Sequence, residues 1–368
     1  MIINTTNLKK FQRFLEKVTE RGNQPWESVF LDTKAGKLHF LNSKTRGHLD
    51  LSIAFEPDEQ PIPTFYVNTE KFFGLVREYD QLELRPDYNF YTPNDNGVFN
   101  LASIVDNDLF VASGSEIPPV FETSLLLNLQ GSGMMSLIQE ASQFASTDLD
   151  SPFCGVFVRT NSIIGSDRKI FYERKTVEAG DEELGVDLPL WIIDLIRQIP
   201  FSEVTLGVTS SNFVFDSIED SFSVTVAKSV NLSPPPFDNP DFISTYSTSV
   251  GFSVNRETLV SQLKFFKPFV KEAPNTRIKL TVEASHLNLT VTDAALISRQ
   301  FPIVVQDPIL VGKEFWLNTD LLVRVLGVFS EGIVTIRTTD ESSVINVMNE
   351  IDGVADENFH VVLTKVKV

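Results

Sequence analysis

The stretch "FWLNTDLLVRVL", Phe315–Leu326, reads as a short strand running directly into a helix, and the chain writes it more than once. "FYVNTEKFFGLV" (Phe65–Val76) and "FSVNRETLVSQL" (Phe252–Leu263) share its Phe, its Asn three residues later and its following apolar positions. With the Asn as origin, an apolar anchor stands four residues on in each copy, at Phe72, Leu259 and Leu322. The next apolar turn follows at Leu75 and Val76, at Leu263, and at Val325 and Leu326. Spacings of three and four keep side chains on one helical face. Asn is a good N-cap because its side-chain oxygen accepts a first-turn amide that has no partner within the helix.

Weaker copies extend the pattern. "IINTTNLKKFQRFLEKV" offers Asn4 followed by Leu8, Phe11 and Leu15, and "LGVDLPLWIIDLI" offers Asp187 followed by Trp191 and Leu195. "LLNLQGSGMMSLIQEASQF" keeps Asn128 but carries an insertion before Met134, Leu137 and Ile138. The origins at 4, 68, 128, 187, 255 and 318 recur every 59–68 residues. Between them run short alternating segments such as "SEVTLGV", "SNFVFDSI" and "SFSVTVAKSV", punctuated by Gly, Ser, Asn and Asp, which read as antiparallel strands joined by tight turns. One helix with three or four strands cannot bury its apolar face alone, so neighbouring repeats must pack together. The expectation is an α+β protein of three similar domains, two repeats each, at 1–122, 123–246 and 247–368. The Pro-rich passages "SGSEIPPVF" and "LSPPPFDNP" lie near the ends of the second and fourth repeats.

Composition narrows the function. The chain has 368 residues, 42% hydrophobic with 30 Phe, which suits folded cores in two or three domains. One cysteine, Cys154, cannot form an internal disulfide, and "NLKKFQRFLEKV" is interrupted by charge where a signal peptide would be apolar. A cytoplasmic location is expected, with no membrane partner. Forty-nine Asp and Glu against 31 Lys and Arg give a formal charge of −18, so any nucleic-acid contact must be confined to a local basic patch.

No catalytic or metal-binding pattern emerges. His39, His48, His286 and His360 lie on separate segments without metal-ligand spacing, and Cys154 has no CxxC partner. "GSGMMS" (Gly131–Ser136) lacks the third Gly of a dinucleotide fingerprint and the Lys of a P-loop. The acidic pairs Asp106/Asp108 and Asp148/Asp150 stand in polar loops where solvated charge is the usual condition. Neither an enzyme nor a cofactor is expected.

The face beside the apolar stripe is different. Nine residues from their origins stand Arg13, Arg77 and Lys264; Arg197 lies one residue later in its repeat; Lys10 and Arg324 occupy the sixth position and Lys17 the thirteenth. These offsets share one helical stripe. Lys and Arg commonly decorate exposed helices, but their recurrence in an acidic chain favours a shared anionic partner, and a repeat scaffold or virion or surface interaction module has no reason to keep them basic.

Six helix-plus-sheet repeats in three domains resemble the bacterial-type DNA polymerase sliding clamp, the β clamp. The resemblance spans the whole chain and rests on the recurrent "F.VN...L" junctions, "FDNPDF" (Phe237–Phe242), "SQFASTDLDSPFCGVFV" (Ser142–Val158) and the ending "FHVVLTKVKV". It implies a head-to-tail homodimeric ring around duplex DNA, with helices lining the hole and sheets outside. Such a ring has no catalytic activity; it tethers the replicative polymerase and is loaded by an ATP-dependent clamp loader. Lys10, Arg13, Lys17, Arg77, Arg197, Lys264 and Arg324 would then face DNA.

The resemblance also implies a partner-peptide pocket formed by Ser166, Asp167, Ile170, Phe171, Pro240, Phe242, Val361, Val362, Leu363 and Thr364. It implies a subunit interface in which Phe99 and Leu101 of "GVFNLAS" meet Phe269 and Val270 of "KPFVKEA". The chain departs from the family pattern at the pocket. Where clamps carry a stretch like "ATDGHRL", this sequence has "GSDRKIF", without the Gly and His, and "VVLTKVKV" replaces the usual Met-Pro-Met-like ending. Such divergence suits a bacteriophage version.

Overall fold

The computed structural model describes residues 1–6, 8–9, 12–14, 17, 28–32, 36–41, 45–50, 52–54, 65–92, 97–100, 102–103, 125–128, 133–176, 185–198, 205–209, 212–217, 222–228, 232–237, 239–244, 246–247, 250–270, 277–291, 297–330, 332–338 and 343–366. The protein divides into two compact units, one of Met1–Met135 with Trp191–Asn231, the other of Ser136–Leu190 with Leu232–Val368. Residues 123–246 contribute strands to both.

Recurring strand-to-helix junctions organise each unit. Strand Phe65–Asn68 runs into helix Thr69–Glu78, Gly251–Asn255 into Arg256–Val270, and Glu314–Asn318 into Thr319–Leu326. In all three the Asn side chain caps the helix. Oδ1 of Asn68 accepts the Lys71 amide at 3.0 Å, that of Asn255 the Thr258 amide at 2.8 Å, and that of Asn318 the Leu321 amide at 2.9 Å. Asn4 ends strand Ile2–Asn4 and accepts the Thr6 amide at 2.9 Å, ahead of helical residues between positions 6 and 17. Strand Leu125–Asn128 also ends on its Asn, but helix Met134–Ser142 begins six residues later, where the insertion was expected.

The fourth repeat is corrected. Asp187 lies inside strand Gly185–Pro189, and helix Leu190–Ile196 starts after Pro189, so Pro189 takes the place that Asn holds elsewhere. The Asp187 carboxylate lies 2.8 Å from Arg159 Nη1 on the neighbouring strand.

In the second unit twelve strands form one sheet in the order Gly185–Pro189, Gly155–Arg159, Ser162–Ser166, Ile170–Lys175, Val354–Thr364, Val344–Ile351, Ile333–Arg337, Gly251–Asn255, Ile297–Val305, His286–Val291, Arg277–Val282 and Glu314–Asn318. Every pairing in it is antiparallel. The helices bury Leu259 and Leu263, and Leu322, Val325 and Leu326, the positions read from the sequence, and Arg256–Val270 buries Phe266 and Val270 as well. Gly165 is required where helix Met134–Ser142 meets the sheet, because a Cβ there would fall inside the contact distance of the Ala141 carbonyl oxygen.

The first unit holds a nine-stranded sheet and a five-stranded one. In the larger sheet, Thr45–Asp50 pairs with Phe222–Ala227, joining the unit's two chain segments. The smaller sheet runs Ser52–Ala54, Ile2–Asn4, Gln81–Leu84, Asn89–Tyr91, Val98–Asn100. In the unit's core, Phe14 stands edge-on to Phe215 of the larger sheet at 5.7 Å, and Phe72 lies beside Phe90 of the smaller one at 5.7 Å.

Candidate functional site

The expected peptide pocket is built on one strand pair of the second unit. Strand Ile170–Lys175 runs antiparallel to Val354–Thr364 with Ile170 opposite Leu363, Phe171 opposite Val362, Tyr172 opposite Val361 and Glu173 opposite His360. Alternation divides these residues between two faces. Phe171 and Val362 form one floor with Phe157, Ile164 and Tyr246, against which Phe153, Leu232, Phe237, Phe242, Ile243 and Val344 pack half-buried. Ile170, Val361 and Leu363 are buried on the opposite face with Tyr172. Phe171 and Val362 thus share one face with the cluster that Phe242 packs against, while Ile170, Val361 and Leu363 lie buried on the other face.

The wall comes from the Pro-rich passage. Helix Pro240–Ser244 begins where Asn239 Oδ1 accepts the Asp241 amide at 2.8 Å. It sets Phe242 edge-on to Phe171 (5.2 Å) and to Tyr246 (5.5 Å). Pro240 is exposed at its start and Thr364 is exposed beyond the strand pair, its amide donating to the Lys169 carbonyl at 3.0 Å. Tyr246 also lies 5.3 Å from the ring of His360, whose Nε2 is 3.1 Å from Glu173 Oε2. Burial, with the Glu173 charge second, pushes the Tyr246 phenol well above its ordinary pKa. Phe153, Leu232, Phe237, Ile243, Tyr246 and Val344 escaped the sequence reading. A signal existed: "LSPPPFDNPDFI" spaces apolar side chains through a passage otherwise typical of a solvated linker.

Ser166 and Asp167 shape the turn that delivers Phe171. Ser166 Oγ donates to the Ile170 carbonyl at 2.9 Å, and Asp167 Oδ1 accepts the amides of Lys169 and Ile170 at 2.9 and 2.8 Å. Arg168 between them has φ +74°, a left-handed conformation that a non-glycine residue adopts at some cost and that this bonding holds in place.

The basic positions fall into three kinds. Arg13, Lys17, Arg77 and Lys264 are exposed on their helices. Lys264 lines a surface groove of about 430 Å³ with Arg256, Glu257, Val260 and Ser261. Arg197 lies past the end of its helix with Nη1 3.1 Å from Asp194 Oδ1, and after the register correction it is the eighth residue from Pro189. Arg324 Nη1 is 3.7 Å from Asp167 Oδ2, its Nη2 donates to the Gln143 carbonyl, and its guanidinium lies 5.1 Å from the centre of the Phe144 ring. Lys10 lies outside the described residues.

Of the expected interface residues, Phe99 is half-buried on Val98–Asn100, the edge strand of the five-stranded sheet, 6.4 Å from the Tyr79 ring. Leu101 lies outside the described residues. In the other unit Phe269 is 41% exposed beside Phe265 at 38%, with ring centroids 5.6 Å apart, whereas Val270 is fully buried. Arg299 lies 3.5 Å over Phe265 and donates to Gln262 Oε1 at 3.2 Å. Its strand pairs through residues 297–302 with His286–Val291 and through 303–305 with Gly251–Asn255. Among the described residues, the stretch 297–301 thus has a neighbouring strand on one side only.

His39 and His48 lie on separate strands that pair, opposite one another with ring centroids 6.0 Å apart. Among the described residues no group of three or more His, Cys, Asp or Glu could hold a metal ion. Asp148 Oδ1 accepts the Asp150 amide at 3.1 Å within a turn, and Asp106 and Asp108 lie outside the described residues. Cys154 is buried, which pushes its thiol pKa up. Among the described residues no helix is long and apolar enough to cross a membrane.

No family model matches the sequence, and no curated protein matches it. Solved structures do. A DNA polymerase sliding clamp from Pseudomonas aeruginosa with ligand superposes at a TM-score of 0.75 and 15% identity, covering 100% of this chain and 99% of that one. The H. pylori β clamp in complex with diflunisal gives 0.74 at 13% identity and full coverage of both chains. A P. aeruginosa sliding clamp, DNA polymerase III subunit beta, bound to griselimycin gives 0.73 at 16% identity with 100% and 99% covered. The fold is that of the bacterial β sliding clamp. A chain of 368 residues is the length of three clamp domains, and the sliding-clamp fold extends through both of its units.

Proposed function

We propose that this chain is a DNA polymerase processivity factor that encircles duplex DNA as a head-to-tail homodimer of three-domain subunits and tethers the replicative polymerase. The observation that carries this reading is the sliding-clamp fold over the full chain. A ring holds DNA by topology, so it needs no base-reading contacts and must avoid sticking. Exposed Arg13, Lys17, Arg77 and Lys264 on repeated helices supply a salt-screened attraction to phosphates that is nearly uniform along the duplex. The acidic balance elsewhere, −18 overall, disfavours DNA on other surfaces.

The aromatic groove around Phe171, Val362, Phe242 and Tyr246 is the site for polymerase and clamp-loader peptides, because half-buried apolar walls over a buried floor accept aromatic or aliphatic anchors. Phe269 with Phe265, beside a strand stretch paired on one side, and Phe99 on an edge strand supply the two halves of the subunit interface. Domains at 1–122, 123–246 and 247–368, no catalytic activity of its own and a place in the cytoplasm, that of a bacterial host for a phage protein, complete the reading.

The test loads the labelled protein, with its loader and ATP, on nicked circular DNA and on the same DNA linearised. Retention on the circle through a high-salt wash, and loss from the linear form, is the expected result; equal retention on both would overturn the topological reading. The groove is tested by titrating griselimycin, the ligand of the P. aeruginosa clamp, against the native chain and Phe242→Ala. Binding that the substitution leaves unchanged removes the groove from the proposal.

A further inference from the structure

Arg324 was expected to face DNA by its place in the repeat, yet its guanidinium is engaged by other groups of the protein. The side chain is 34% exposed and meets three groups of the second unit: the Asp167 carboxylate, the Gln143 carbonyl just past helix Met134–Ser142, and the Phe144 ring. Phe144 lies behind the strand that carries Phe171, and Asp167 stands in the turn that precedes it. Asp167 divides its carboxylate, Oδ1 closing the turn on the Lys169 and Ile170 amides and Oδ2 facing Arg324 at 3.7 Å. Phe144 stacks on Tyr172 at 5.1 Å and 11° between planes, and Tyr172 is the strand neighbour of Phe171 on the opposite face. Arg324 therefore touches the turn that leads into Phe171 and the ring stack behind it.

We propose that Arg324 is a positioning residue for the partner groove and not a DNA contact. This deepens the groove reading above and rests on it. The chemistry suits the role. A planar guanidinium with several fixed donors can hold a carboxylate and a carbonyl at once while lying on an aromatic ring, which an ammonium cannot reproduce. A carboxylate 3.7 Å away also neutralises the charge that a phosphate would need. The left-handed Arg168 gives the restraint a purpose, because a turn held in a sparsely populated conformation relaxes when its bonding partners loosen. The chain lacks the Gly of the usual pocket turn, and here the Asp167–Arg324 pair keeps a non-glycine residue in that conformation.

The experiment uses the full-length protein and Arg324→Gln, Arg324→Lys and Phe242→Ala. Three quantities are read: amide hydrogen exchange at Lys169 and Ile170, affinity for griselimycin, and the slope of log DNA affinity against log salt. Arg324→Gln is expected to speed exchange at both amides and to weaken griselimycin about tenfold, the scale of one lost charge-assisted hydrogen bond. Its DNA slope stays that of the native chain, and Arg324→Lys restores the two effects only in part. Native exchange with a salt slope flatter by about one, the signature of a lost phosphate contact, overturns the proposal. If Phe242→Ala leaves griselimycin binding unchanged, the groove reading fails instead, and exchange at Lys169 and Ile170 still decides whether Arg324 holds the turn.

Discussion

Replacing Phe269 by Asp should split the dimer and leave the subunit folded. Phe269 is 41% exposed. A phenylalanine contributes about 150–250 Å² of surface, so roughly 60–100 Å² of this ring is available to a partner, worth about 1.5–2.5 kcal/mol at about 25 cal/mol per Å². A carboxylate enclosed at the same place without a partner adds a desolvation penalty, so about 2 kcal/mol is a lower bound for each interface. A head-to-tail dimer has two such interfaces, and both break on dissociation. The dimer constant should therefore weaken by about a thousandfold or more. The subunit itself loses the part of the ring it already covers, about 2–4 kcal/mol by the same bookkeeping, and about 0.3–1 kcal/mol more for an acidic side chain in the last turn of a helix, so the fold must be measured beside the dissociation. Val270 cannot serve for this test, because a charge at a fully buried position would unfold the unit. Sedimentation equilibrium over a wide concentration range measures the dissociation, and circular dichroism with a thermal melt measures the fold. A folded Phe269→Asp protein that dissociates over the same concentrations as the native chain would refute the interface.

Other perturbations report on different parts of the structure. Exchanging Arg13, Arg77 and Lys264 together for Glu should flatten the salt dependence of DNA association by about one slope unit per lost phosphate contact, with little change in melting temperature because exposed charges stabilise weakly; native processive synthesis by the triple variant would remove these residues from the DNA face. Gly165→Ala should cost about 1–3 kcal/mol in denaturant unfolding, since the new Cβ meets a backbone carbonyl that cannot swing away. Of the six tyrosines, Tyr172 and Tyr246 should resist ionisation in an alkaline absorbance titration. Burial comes first in both, followed by the charges of Glu140 and Glu173 respectively, and both raise the folded-state pKa. Their contribution to stability is complete below the unfolded value of about 10 and is lost as pH climbs toward the folded values, so their ionisation should coincide with unfolding; early ionisation of all six would contradict their burial.

The fold was readable because its repeated unit begins with a local event. A cap needs one side chain and an amide two or three residues away, so Asn4, Asn68, Asn255 and Asn318 mark helix starts without knowledge of anything distant. The same rule misled at Asp187, whose carboxylate was free in sequence but taken by Arg159 across the sheet. There the helix waited for Pro189, and the tenth-position count for Arg197 slipped with it. Pairing across strands also places His39 opposite His48, although they stand nine positions apart in sequence.

The groove shows where such reasoning must stop. Its floor depends on a register between residues near 171 and residues near 362, and a strand's two faces cannot be assigned until that register is known. Family position pointed to these two strands, while alternation puts Phe171 and Val362 on the face of the aromatic cluster and Val361 and Leu363 on the other. The same alternation explains how Arg324 can act on the groove without entering it. Through Phe144 and Tyr172 it meets the back of the strand that carries Phe171, and through Asp167 it meets that strand's beginning. A charge counted along a helix looks available to any anion; placed in the fold, it already has its carboxylate. The repeat pattern therefore identifies which positions could line a hole, and only the partners found at each position determine which of them do.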